Sequence, residues 1–155
     1  MNLSNITKNI KLAWILLITF FIFDNIFSYY AVTSLGGTEA NHLISYWVET
    51  YPPLYFFCIP GQIIIIYFIV EGLTKLSEII FKKLKITNEY IYEKIILFAL
   101  VIYWAIANSS MNFAFLVGHR LSVNTWYVLT AIGVVLAIVY YAYSLDRIHK
   151  EKKNI

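Results

Sequence analysis

One cysteine stands in the whole chain, Cys58, and a single thiol excludes an internal disulfide and any CxxC redox or zinc pair. Charge is scarce too. Only 14% of the 155 residues are Asp, Glu, Lys or Arg, where a soluble domain carries about a quarter. Water-facing surface needs charge and lipid-facing surface excludes it, so the deficit argues against a soluble fold. Catalytic signatures are missing as well. The chain has no GxGxxG, GxxxxGK, GxSxG or CxxC pattern, no serine beside a plausible base, and no spaced acidic pair of the phosphotransfer kind. These absences set aside the familiar water-soluble enzymes.

What is present is apolar: 60% of residues, with 18% aromatic. The length allows one domain. Four apolar runs, at 12–34, 53–70, 95–117 and 125–145, match the roughly 20 helical residues that cross about 30 Å of hydrocarbon. The runs are continuous rather than alternating, and lipid leaves no water for unpaired backbone groups, so helices are predicted. The expected fold is all-α, a four-transmembrane-helix bundle. The first run is longer than a signal-peptide core of 7–15 residues, and no small-x-small cleavage site follows it, so it reads as an anchor.

Charge position sets the expected orientation. Lys8 and Lys11 precede the first run; Lys75, Lys82, Lys83, Lys85 and Lys94 lie at 72–94; Arg147, Lys150, Lys152 and Lys153 follow the fourth. Four spans put all of these, eleven of the twelve basic residues, on one side and Arg120 alone on the other. Positive residues favour the cytoplasm, which predicts both termini inside. Tyrosine and tryptophan cluster near the ends of the runs, as an interfacial belt requires. The basic residues, confined to that side but for Arg120, point to an anionic inner leaflet, and the small net charge of +3 gives nucleic acid little support.

Two connections carry patterns of their own. Between positions 72 and 86, Leu73, Leu76, Ile79, Ile80 and Leu84 recur at helical spacing opposite Lys75, Lys82, Lys83 and Lys85. That spacing predicts a basic amphipathic helix on the cytoplasmic surface, continuous with the second run or separate from it, with Thr87 or Asn88 capping the next helix. Outside, Gly36 and Gly37 end the first helix, and positions 41–50 place Leu43, Ile44, Trp47 and Val48 on one face. A short interfacial segment is expected there.

Polar residues inside the runs are the candidate sites. Asp24 stands twelve residues into the first. An Asp at a helix centre opposes insertion by roughly 2.5–3.5 kcal/mol, against about 4–7 kcal/mol returned by the twelve large apolar residues of that run. Insertion survives, and the carboxylate needs a partner or a proton. Ser28 follows one turn later, Gln62 lies near the middle of the second run, and Asn108 and Asn112 lie in the third. At similar depth on three helices, these predict a midplane polar layer, with the fourth helix as lipid-facing cover. A second cluster lies outside: Glu39, Asn41 and His42 after the first run, His119 and Arg120 after the third. Glu39 with Arg120 would tie the two loops. Glu39, His42 and His119 are the right residue types for a divalent metal, without spacing that fixes a site.

The stretch Asp24, Ser28, Gly36–Gly37, Glu39-Ala40-Asn41 resembles an uncharacterised family of small multi-span membrane proteins, largely archaeal, with a motif Asp…Ser/Thr…Gly…Glu-x-Asn-Pro. His42 stands where that family has proline, and Gln62 falls near where members carry a lysine. The resemblance covers about the first half of the chain. It implies that Asp24, Glu39 and Asn41 belong together, and it implies no activity.

Three functions are compatible with these residues. A non-enzymatic scaffold or subunit, needing no cofactor and partnered by a second copy or another membrane protein, requires only the polar layer as glue. Proton or cation conduction through Asp24 requires an oligomer, because four helices enclose too little. A lipid-acting enzyme at the outer face requires a metal on Glu39, His42 and His119.

Overall fold

The computed structural model describes residues 3–39, 42, 44–81, 89–118 and 122–153, and only the backbone of residues 3–8, 89, 90, 123 and 151–153. The elements are α1 (Leu3–Ser34), α2 (Ser45–Thr50), α3 (Leu54–Ile80), α4 (Glu89–Trp104), a π-helical turn (Ala105–Ser109), α5 (Ser110–Leu116) and α6 (Val123–Lys153). Among the described residues there is no strand. The segments Asn9–Ser34, Leu54–Ile80, Ile91–Leu116 and Asn124–Lys150 are each long and apolar enough to cross a membrane.

The helix ends follow local chemistry. Gly36 adopts a left-handed φ of +64°, which folds the chain back so that the Gly37 amide reaches the Ala31 carbonyl at 2.9 Å. Gly118, also left-handed at φ +84°, follows α5, and its amide donates to the Phe115 carbonyl at 3.0 Å. Pro52 and Pro53 precede α3, where a missing amide hydrogen costs nothing. Pro60 lies inside α3 on an exposed face, leaving the Phe56 carbonyl without its usual donor.

The long helices alternate in direction, so the start of α1 and the end of α6 lie at one end of the bundle, where Ile10, Val70, Tyr92 and Leu145 share a cluster. α1 and α4 form its centre: α1 packs on α3 and α4, and α4 packs on α6 as well. Ile10, Ala13, Leu17 and Phe21 make the buried stripe of α1 at three- and four-residue spacing. Against it lie Tyr92, Ile95, Ile96 and Leu97 of α4, Ile66 and Val70 of α3, and Leu145 of α6. Phe21 meets Trp104 edge-on with centroids 4.4 Å apart, a favoured geometry. At the terminal end the Ser77 and Tyr141 hydroxyls share a 2.5 Å hydrogen bond, and Trp14 Nε1 donates to Glu93 at 3.3 Å.

The exterior is as apolar as the interior. Phe57 is 72% exposed, Phe68 66%, Ile15 61% and Ile138 61%. Burying one such side chain is worth about 1.5–3 kcal/mol in water, so a surface built this way suits hydrocarbon, where its exposure carries no cost.

Several boundaries differ from the sequence reading. α3 continues past position 70 to Ile80, because nothing between 70 and 80 breaks a helix. Of the two arrangements open for the amphipathic helix at 72–86, continuous with the second run or separate from it, the described part is continuous: as far as Ile80 it is the end of α3, with Leu73, Leu76, Ile79 and Ile80 exposed. Lys82, Lys83, Leu84, Lys85, Thr87 and Asn88 lie outside the described residues. In the outer segment Val48 is buried while Trp47 is 62% exposed. The common face expected for them is split, since neighbouring residues of the six-residue helix Ser45–Thr50 point about 100° apart. Leu43 lies outside the described residues.

Candidate functional site

The polar residues of the long helices meet in pairs, and the pairs differ from those the spacing suggested. Asp24 Oδ1 accepts a hydrogen bond from Asn112 Nδ2 at 2.5 Å, joining α1 to α5. The neighbouring Asn25, 3% exposed, donates through Nδ2 to Gln62 Oε1 at 2.8 Å and to the Phe21 carbonyl at 2.7 Å. This pair joins α1 to α3. Gln62 thus meets Asn25, one residue beyond Asp24. The reason lies in the helix period: Asn25 continues the stripe of Leu17 and Phe21 toward α3, and Asp24 points about 100° away toward α5.

Asn108 faces the other way. It sits on the π-turn, and its Oδ1 accepts from Trp126 Nε1 at 3.4 Å, joining the third long segment to α6. The fourth helix is therefore more than lipid-facing cover. Along with Trp126 it offers Gly133, where a Cβ would stand 3.2 Å from the Tyr103 carbonyl oxygen, so backbone approaches backbone closely there. Trp126 belongs to the first turn of α6. Asn108 is thus bonded at the start of α6. Ser28 is half-buried and makes no hydrogen bond among the described residues.

A second set lies just beyond this layer. Tyr55, 2% exposed, donates its hydroxyl to Glu39 Oε2 at 2.8 Å, and the Glu39 amide donates to Glu49 Oε1 at 2.9 Å. Glu39 thereby ties the loop after α1 to both α2 and α3. His42 is exposed, and its carbonyl accepts from the Ser45 hydroxyl at 3.4 Å. Asn41, His119 and Arg120 lie outside the described residues, and with them the expected Glu39–Arg120 pair and the Glu39, His42, His119 metal set. Among the described residues no three His, Cys, Asp or Glu side chains are grouped as metal ligands would be.

No family model, no curated protein and no solved structure matches the chain.

Two participants escape a reading by residue type. Asn25 is overshadowed by the charge beside it, yet its place one turn beyond Phe21 on the buried stripe marks it as inward-facing. Trp126 passes for a belt aromatic, and only its indole N–H, which needs an acceptor when buried, hints at a partner. Chemically the set consists of one carboxylate, four carboxamides and an indole, each engaged with another helix. That is a kit for cross-helix hydrogen bonding. A nucleophile with an adjacent base is absent from these pairs.

Proposed function

We propose that this chain is a four-span integral membrane protein with both termini cytoplasmic, and that it serves as a non-enzymatic scaffold or subunit whose polar layer holds the bundle together. The pairing of Asp24 with Asn112 and of Asn25 with Gln62 carries the reading. Intramembrane carboxylates that serve a pathway face a wet cavity or bundle interior open to an ion, whereas here the polar groups spend their hydrogen bonds on neighbouring helices. The partner is another membrane protein or a second copy, recognised through the apolar faces of α3 and α6, which are the least buried of the four spans at 11% each. The confinement of eleven of twelve basic residues to three segments supports the orientation and contact with an anionic inner leaflet.

Reconstitution tests it. Proteoliposomes bearing the protein should show no proton or monovalent-cation flux above empty vesicles, and Asp24→Asn should keep the bundle folded, since the amide oxygen still accepts from Asn112. Flux that appears with the protein and disappears in Asp24→Asn would replace the scaffold by conduction through an oligomer.

A further inference from the structure

A π-turn of five residues interrupts the third long segment at Ala105–Ser109; it carries Asn108 and precedes Asn112, and these two asparagines bond to different helices. In such a turn each amide reaches the carbonyl five residues back, which accommodates one residue more than an α-helix would; isolated π-turns are rare and concentrate at functional sites. The consequence here is a matter of phase. Trp104 and Asn112 both face α1, through Phe21 and Asp24. They are eight positions apart (112 − 104), whereas two α-turns take about 7.2 residues. In an uninterrupted α-helix position 111 would lie over Asp24, presenting the apolar side chain of Met111. Asn112 would be turned away by about 100°. The π-turn brings the amide to the carboxylate.

The turn carries the marks of a sequence accommodating it. The Ser110 hydroxyl donates to the Ile106 carbonyl, four residues back, covering an acceptor at the seam of the altered ladder. The Ser109 hydroxyl is buried with no partner among the described residues, and leaving a hydroxyl so is unfavourable. Something must hold the wider turn against the ordinary helix.

We propose that the Asp24–Asn112 bond holds it, so that the third segment has two registers. With the bond made, the turn is π and Asn112 faces α1. With the bond lost, the turn relaxes to α, and α5 rotates by about one residue, about 100°. Met111 then faces α1. That rotation re-aims Phe113, which is 63% exposed, and Leu116, which is 48% exposed, so an event at Asp24 is converted into a changed outward face. The device lies beyond the scaffold reading and holds or fails separately from it, because its test concerns register and not flux or partners.

Cross-linking reads the register. Phe27 of α1 meets Phe115 of α5 edge-on, centroids 6.4 Å apart. In a full-length Cys58→Ser background, Phe27→Cys should couple through a short bifunctional thiosulfonate to Phe115→Cys and not to Ala114→Cys. Adding Asp24→Leu should move the coupling from position 115 to 114, while Asp24→Asn should leave it at 115. Deleting Ile106 from the Asp24→Leu protein removes the additional residue, so an all-α segment regains the original phase and coupling should return to Phe115→Cys. Coupling that stays at 115 in Asp24→Leu overturns the proposal. A move to 114 that the deletion does not reverse, or loss of coupling at both positions, overturns it too, because the movement would then not be a change of register.

Discussion

A carboxamide buried between helices has only the partners its neighbours supply, so Asn25 and Gln62 depend on each other more than either depends on its surroundings. Asn25 also gives its Nδ2 to the Phe21 carbonyl, which is already engaged in the helix, and Gln62 supplies the only side-chain acceptor for it among the described residues. Hydrogen bonds between membrane helices couple by about 0.6 kcal/mol on average, with about 1.7 at the upper end. Asn25→Leu and Gln62→Leu should each destabilise by about 1 kcal/mol, and the double variant should cost less than the two together. Steric-trapping unfolding in bicelles measures the cycle. Strict additivity would mean that the two amides do not interact. The residue scale is also where the sequence was hardest to read. Asp24, Gln62, Asn108 and Asn112 were recognisable as buried polar groups from their positions in apolar runs, but a partner is decided by about 100° of helix phase. That phase depends on how helices rotate against one another and, for Asn112, on a π-turn with no composition signal: Ala105, Ile106 and Ala107 belong in any helix. Nothing in residue type distinguishes Asp24–Gln62 from Asn25–Gln62.

Among the elements, the contact of α4 with α6 turns on one small side chain. Gly133 sits where an added Cβ would stand 3.2 Å from the Tyr103 carbonyl oxygen and 3.3 Å from its ring. The obstacle is backbone, which cannot swing aside as a flexible side chain would. Gly72, in α3, has nothing within 4 Å of the same construction. Gly72→Ala should therefore be neutral or stabilising by up to about 1 kcal/mol, the helix-propensity gain. Gly133→Leu should destabilise by about 1–3 kcal/mol through overpacking and push α6 away from α4. Thermal unfolding of the three proteins in one detergent ranks them. Equal melting temperatures for the glycine-to-alanine and glycine-to-leucine variants would show that α6 rests on α4 loosely. Element existence was legible because hydrophobic length alone specifies a spanning helix, and the Gly36–Gly37 and Pro52–Pro53 punctuation set real boundaries. Element extent was less so. α3 runs on through Glu71, Lys75 and Glu78 to Ile80, where the Lys75–Glu71 pair at 2.9 Å satisfies the helix rule of four-residue spacing. Charge ends an apolar run without ending a helix.

For the whole molecule the open physical question is which end faces the cytoplasm. α6 has 31 residues, about 46 Å of helix, which exceeds the ~30 Å of hydrocarbon. Its excess lies at the charged end, where Asp146 and Lys150 pair at 2.6 Å and Arg147, Lys152 and Lys153 follow. The opposite end of the bundle carries the loop with His42 and the turn at Gly118. Antiparallel packing makes these two ends exclusive, so a single label on each decides the orientation. In a Cys58→Ser background a membrane-impermeant maleimide applied to intact cells should modify His42→Cys, because His42 is exposed, and should leave Lys150→Cys unmodified until the membrane is opened. Lys150 is also exposed, so its protection would come from the bilayer and not from burial in the bundle. The reverse pattern would invert the molecule and place eleven basic residues outside, against the K/R bias. Labelling of both positions from one side would require an even number of crossings between them, and α3, the α4–α5 segment and α6 would then not all span.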